Sequence, residues 1–168
     1  MKEETKKQNK ETKNFKPNEN IEKNNNDLIA IVRISGMVKV RKEIENTLER
    51  LRLKRKYSCI LINLNKNLEG MLKKVRFYVA YGSIDKKTLV KLLKERARNI
   101  EGNKKELNIK PEDIADKILK GEKLEKLGIK PFFRLHPPKK GIKSKLQYPK
   151  GVLGNNKQDI NKLIERML

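Results

Sequence analysis

Few side chains in this 168-residue sequence could carry out a reaction, and they do not converge. His136 is the single histidine, so it has no second imidazole for a metal and no evident acid–base partner. Its setting, an Arg-Leu-His-Pro-Pro run at 134–138, suits a hydrogen bond to backbone or phosphate. Cys59 is the single cysteine, which excludes an internal disulfide and a Cys-based zinc site. Inside an apolar run it reads as a small buried hydrophobe rather than a reactive thiol. A metal-dependent nuclease needs clustered carboxylates to hold its ions. Residues 126–158 contain none, and Glu45 and Glu49, near Arg41 and Arg52, read as a solvated helix face. No glycine-rich phosphate loop follows a strand. The sequence implies neither a cofactor nor a metal.

What it does offer is positive charge. Lys and Arg number 43 against 21 acids, a net charge of +22, and the sequence pI is about 10.1. Such an excess points to a polyanion. A membrane surface fits less well, since no apolar run approaches the roughly 20 residues of a spanning helix. The first residues show no apolar signal region. With one cysteine, the expected compartment is reducing and cytoplasmic. Residues 1–27 carry seven Lys and six acids, so the remaining +21 lies in 28–168. That Asn-rich tail reads as disordered or extended. The longest acid-free stretch is 126–158, with nine basic residues, four prolines and four glycines. A long helix is ruled out there. The segment is expected to need a polyanion to become compact, because its charges repel and its apolar surface is small. A second cluster, Arg50, Arg52, Lys54, Arg55 and Lys56, puts five cations into seven positions. A helix C-terminus accounts for one or two of them, and phosphate contact for the rest.

The elements that must position these charges follow from periodicity. Residues 28–35 alternate as a strand, Leu28, Ala30, Val32 and Ile34 on one face and Ile29, Ile31, Arg33 and Ser35 on the other. Val40, Ile44, Leu48 and Leu51 mark a helix; 57–63 is a second strand, central or covered on both faces. A second helix runs from Leu68 through Met71, Leu72 and Val75, where Met71 and the aromatic residues are read as packing rather than base stacking. Residues 80–84 form a third strand, with Gly82 marking a bulge or a close backbone approach. Asp85 is read as the N-cap of a helix over 86–98, and Pro111 opens another that Gly121 ends. A polar connection containing Gly102-Asn103-Lys104-Lys105 joins these two. Leu124, Leu127 and Ile129 form an apolar patch, and Ile160, Leu163, Ile164 and Met167 a short C-terminal helix. The fold class is α+β or α/β, with helices on one face of a three-stranded sheet and the Arg33 face left for a partner. The expected organisation is a tail at 1–27, a β-α-β-α-β core at 28–85, a helical extension at 86–125 and a basic segment with a short helix at 126–168.

No helix-turn-helix, zinc finger, basic zipper or RNP signature is present. Recognition of RNA shape and backbone is therefore the expected mode. Here the residues resemble a known family. Val32-Arg33-Ile34-Ser35-Gly36, Leu51-Arg52-Leu53, Tyr57-Ser58-Cys59-Ile60-Leu61, Gly70-Met71-Leu72-Lys73-Lys74-Val75 and Tyr81-Gly82-Ser83-Ile84-Asp85 are similar, in order and spacing, to the large-subunit ribosomal protein L-thirty family. The run at 133–141 and Lys150-Gly151-Val152-Leu153-Gly154-Asn155 resemble its longer archaeal and eukaryotic branch. The resemblance covers about 28–168. It implies an α+β fold, a β-α-β-α-β core with an antiparallel three-stranded sheet. It also implies a structural constituent of the large subunit that binds ribosomal RNA beside neighbouring ribosomal proteins. No enzymatic activity, small-molecule substrate or homo-oligomer is implied.

The candidate RNA contacts are Arg33 and Ser35 at the first turn, with Lys39 and Arg41 after it. Arg52, Lys54, Arg55 and Lys56 follow the first helix, and Lys74 lies on the second. The basic segment adds Arg134, His136, Lys139, Lys140, Lys143, Lys145 and Lys150. The competing reading is a free-standing nucleic-acid chaperone or DNA-compacting protein, which would bind duplex DNA as well as ribosomal RNA. An RNA-processing enzyme is a third reading that no residue requires.

Overall fold

The computed structural model describes residues 28–100 and 110–168. The expectations for the tail and for the connection at 102–105 lie outside the described residues. The chain runs β1 (Leu28–Arg33), α1 (Lys42–Arg50), β2 (Ser58–Asn63), α2 (Lys66–Val75), β3 (Val79–Ser83), α3 (Lys86–Arg96) and α4 (Pro111–Leu119). A 3-10 turn (Leu124–Leu127), β4 (Phe133–Arg134), β5 (Gly154–Asn155), a second 3-10 turn (Lys157–Asp159) and α5 (Ile160–Glu165) follow.

β1 is the centre of the molecule. It pairs antiparallel with β2 on one side and β3 on the other, Ala30 lying opposite both Leu61 and Gly82. This is the expected antiparallel core, and the fold is α+β. The sheet does not stop at three strands, however; its order is β4-β2-β1-β3-β5, with β4 antiparallel to β2 and β5 parallel to β3. Both added strands come from the basic segment. At two residues each they are too short to show as an alternating pattern in sequence.

The period-2 alternation of β1 sends its side chains into two different cores. Leu28, Ala30, Val32 and Ile34 pack with Leu89, Leu92 and Leu93 of α3, Ile114 and Ile118 of α4, and Ile160 and Ile164 of α5. Ile29 and Ile31 pack with Leu48 of α1, with Leu51 and Leu53, and with Leu68, Leu72 and Val75 of α2. The sheet is therefore covered on both faces, which corrects the expectation of an open one. The reason is that Ile29 and Ile31 outweigh Arg33 on that face, and the apolar stripes of α1 and α2 need an apolar surface to bury against.

The C-terminal helix closes the first core. Its Asn161 accepts a hydrogen bond from the Asp85 backbone N–H (3.0 Å) and donates to the carbonyls of Ser83 (3.2 Å) and Gln158 (2.9 Å). Asp85 does occupy the N-cap position of α3, but its side chain makes no cap bond. Pro111 stands at the start of α4 as expected, and Gly121 after its end has φ +95°. Gly82 marks a close approach rather than a bulge. A Cβ there would lie 2.0 Å from the carbonyl oxygen of Lys157.

Gly82→Ala must therefore push the Lys157 turn and α5 off the sheet. A loss of roughly 1–3 kcal/mol is expected from such overpacking, measured as a lower urea midpoint, with no comparable effect for Gly70→Ala, where nothing lies within 4 Å.

Candidate nucleic-acid interface

Arg33 ends β1 with 3% exposure, and its guanidinium is spent on backbone. Nε donates to the Ser35 carbonyl (3.1 Å) and Nη2 to that of Gly36 (2.8 Å). Nη1 donates to the carbonyls of Leu53 (2.7 Å) and Lys54 (2.9 Å). One planar fork thus ties the β1–α1 loop to the α1–β2 connection, geometry that an ammonium cannot match. Burial pushes its pKa down, and the nearby Glu45 carboxylate opposes the shift. This corrects the reading of Arg33 as an RNA contact: it is a positioning residue beneath two cationic loops. Ser35, half-buried, links the same loop to the corner before β3, its Oγ donating to the Phe77 carbonyl at 3.4 Å. Lys39 and Arg41 stand exposed on that loop, and Lys74 is exposed on α2.

In the α1–β2 connection, Leu51 and Leu53 are buried (4% and 0%) and the cations between and after them are exposed. Apolar pegs alternating with charges force Arg52, Lys54, Arg55 and Lys56 outward. Arg52 pairs with Glu125 and Lys54 with Glu49, both at 2.5 Å on the surface. Exposed pairs of this kind contribute little to stability and exchange readily for a phosphate. The Lys56 ammonium lies 4.6 Å from the centroid of the Tyr57 ring.

The basic segment is anchored rather than loose. Phe133, Leu135 and Leu153 are buried in the same core as β1, at 1%, 7% and 4% exposure. The expectation that it lacks the apolar surface to be compact is therefore corrected: few residues are apolar, but those few reach the core. Arg134 is exposed, 6.0 Å from the Phe132 ring centroid. The His136 backbone N–H donates to the Met167 carbonyl (2.9 Å), leaving its imidazole exposed. Arg166 then holds the following turn, donating to the Lys139 carbonyl through Nε (3.1 Å) and Nη2 (2.8 Å) and to Gly141 (2.6 Å). Further on, the Tyr148 hydroxyl donates to Asp159 (2.9 Å), which also accepts from Lys162 (3.0 Å). These two bonds hold the Asp159 carboxyl below its ordinary range, the Lys162 bond first.

The result is a cleft of about 500 Å³ whose lining holds Lys140, Lys143, Lys150, Lys162 and Arg166 against one carboxylate, Asp159. Lys139 and Lys145 stand exposed beside it on the same loop. Lys162 and Arg166 are missing from the sequence-based candidates. They lie on the polar face of a helix read only for its apolar stripe, and nothing in the sequence says that this face meets the basic loop. Phe77, just after α2, is 53% exposed rather than packed. Cys59 is fully buried, its thiol pushed up to about 12 by burial. Among the described residues no three His, Cys, Asp or Glu side chains could share a metal ion. No helix of the described residues is long and apolar enough to cross a membrane.

Residues 29–79 match the family model described as "Ribosomal protein L30p/L7e". The chain is 44% identical over 153 residues to the "Large ribosomal subunit protein uL30" of Methanococcus maripaludis strain C5, spanning 83% of this chain and 98% of that one. The chain belongs to the L30p/L7e ribosomal protein family. The uL30 proteins of Archaeoglobus fulgidus (41% over 152 residues, 83% and 99% of the two chains) and Hyperthermus butylicus (43% over 164 residues, 84% and 90%) are similar to it as well. The archaeal character of these uL30 relatives agrees with the resemblance of the segment at 133–141 to the archaeal and eukaryotic branch.

Replacing Arg33 by Lys is expected to cost about 2–4 kcal/mol, because buried carbonyls lose their donors. Urea unfolding measures this. The salt dependence of RNA binding by the folded variant is expected to stay at the wild-type slope, as an internal guanidinium neutralises no phosphate.

Proposed function

We propose that this protein is a structural constituent of the large ribosomal subunit. It binds large-subunit ribosomal RNA by neutralising crowded phosphates and fitting their shape, in the cytoplasm, without catalysing a reaction. The observation that carries the reading is the cleft at 140–166, where Lys140, Lys143 and Lys150 of the basic loop meet Lys162 and Arg166 of the C-terminal helix, and the Arg166 fork fixes the turn at Lys139–Gly141. A loop whose carbonyls are held by a guanidinium has less conformational freedom to lose when RNA binds, so its lysines are pre-organised. The similarity to uL30 proteins, over 83% of this chain, supports the same conclusion.

On this reading residues 28–85 are the RNA-binding core, 86–125 a helical extension, and 126–168 the cationic arm with its closing helix. Lys39, Arg41, Arg52, Lys54, Arg55, Lys56, Lys74, Arg134, His136, Lys139, Lys140, Lys143, Lys145 and Lys150 contact RNA, joined by Lys162 and Arg166. Ser35 serves the turn that presents Lys39 and Arg41. Neighbouring ribosomal proteins are the other partners. Neither a membrane, a small-molecule substrate nor a second copy of the chain is required.

The protein is expected to co-sediment with large subunits at moderate salt; recovery only from the free pool overturns the reading. Changing Lys143, Lys145 and Lys150 together to Gln is expected to lower the logarithmic salt slope of ribosomal RNA binding by roughly 2–3, at 0.7–0.9 per lost contact. Equal affinity for duplex DNA and ribosomal RNA would instead favour a free-standing chaperone.

A further inference from the structure

The segments on either side of Phe77 form a surface that phosphate neutralisation alone does not explain. Six large apolar side chains are exposed among the described residues, and four of them, Met37, Val38, Phe77 and Leu146, lie on three segments bonded to one corner. The backbone N–H groups of Ile34 and Ser35 both donate to the Tyr78 carbonyl (3.0 and 3.1 Å), and Ser35 Oγ donates to that of Phe77 (3.4 Å). Gln147 Nε2 donates to the Arg76 carbonyl (3.2 Å), bringing Leu146 alongside. Scattered exposed hydrophobes are ordinary; a group gathered on neighbouring, mutually bonded loops marks an interaction site.

Charge decides what it meets. Residues 35–42 contribute Lys39, Arg41 and Lys42, and residues 73–78 contribute Lys73, Lys74 and Arg76, with no acid in either segment. All six are exposed, and none forms an ion pair among the described residues. The Arg76 guanidinium already lies 4.8 Å from the centroid of the Phe77 ring. An aromatic face, a stacked guanidinium and surrounding cations are the components that hold an unpaired nucleotide, base on ring and phosphate on lysine. A protein partner would find apolar surface on these two segments but no carboxylate within them to exchange hydrogen bonds with its own basic groups; the flanking acids, Glu43, Glu45 and Glu69, belong to α1 and α2.

We propose that Phe77, with Arg76 and the Met37–Val38 loop tip, is a docking platform for an unpaired base of RNA. This deepens the ribosomal RNA reading and rests on it. The base stacks on the Phe77 ring and guanidinium, while Lys39, Arg41 and Lys74 take its flanking phosphates. The contact is sequence-tolerant, because every base has a π face.

The test uses the full chain and a short single-stranded RNA oligonucleotide carrying 2-aminopurine, with a duplex RNA of equal length as the control. Phe77→Ala is expected to weaken single-strand binding about ten-fold, the scale of one lost base–aromatic stack. It is expected to leave duplex binding and the salt slope near wild type, and Phe77→Tyr to restore both affinity and 2-aminopurine quenching. Unchanged single-strand affinity for Phe77→Ala, or an equal loss on duplex, overturns the proposal. So does a photo-crosslink from benzoylphenylalanine at Phe77 that lands on protein rather than RNA in assembled large subunits. Co-sedimentation of Phe77→Ala with those subunits is read separately: its retention keeps the ribosomal reading even where the stacking platform fails.

Discussion

The buried guanidinium of Arg33 is the interaction on which the charged surface depends. A cation inside a protein is expensive unless every donor it turns inward finds an acceptor. Here the acceptors are four backbone carbonyls drawn from two loops, so the demand for satisfaction becomes a geometric constraint. The Ser35–Gly36 turn cannot move without the Leu53–Lys54 connection. Arg166 repeats the device at the far end of the chain, one fork on the carbonyls of Lys139 and Gly141. In both places an internal or half-engaged arginine fixes backbone so that neighbouring lysines are displayed from a set position. The division of labour follows the chemistry: the planar fork suits several directed bonds, while the ammonium suits a point contact with phosphate.

Much of this was legible from side-chain periodicity. Three of the strands, the five helices of the described residues and the buried cysteine follow from alternation, helical spacing and the positions of glycine and proline, and Gly82 is marked as a bulge or a close approach, of which the structure shows the second. Short elements built by tertiary contact were not. β4 and β5 are two residues long, and what makes them strands is the edge of β2 or β3 rather than anything in Phe133–Arg134 or Gly154–Asn155. The covered second face is obscured in the sequence by Arg33 and Ser35, which share a strand face with Ile29 and Ile31.

The surface was legible in kind and blurred in detail. Charge density located the cationic regions correctly as sequence segments, but composition cannot tell a displayed arginine from an internal one. Arg33 and Arg134 look alike in sequence; one is buried under two loops and the other stands in solvent beside Phe132. Lys162 and Arg166 show the converse. They lie outside the acid-free basic stretch at 126–158, and only the packing of α5 against the turn at 139–141 brings them to the cleft.

The parallel pairing of β5 with β3 and the closing of the first core by Ile160, Ile164 and Met167 have a consequence for how the molecule comes into being. The central strand is the first described element made, yet one of its faces waits for residues 160–167. A nascent polypeptide lacks that seal and the Arg166 fork until α5 has emerged and is free to pack. The lysine-rich arm is thus set in its final shape only once α5 is in place, so that a product ending before α5 would carry most of the charge but not the arrangement.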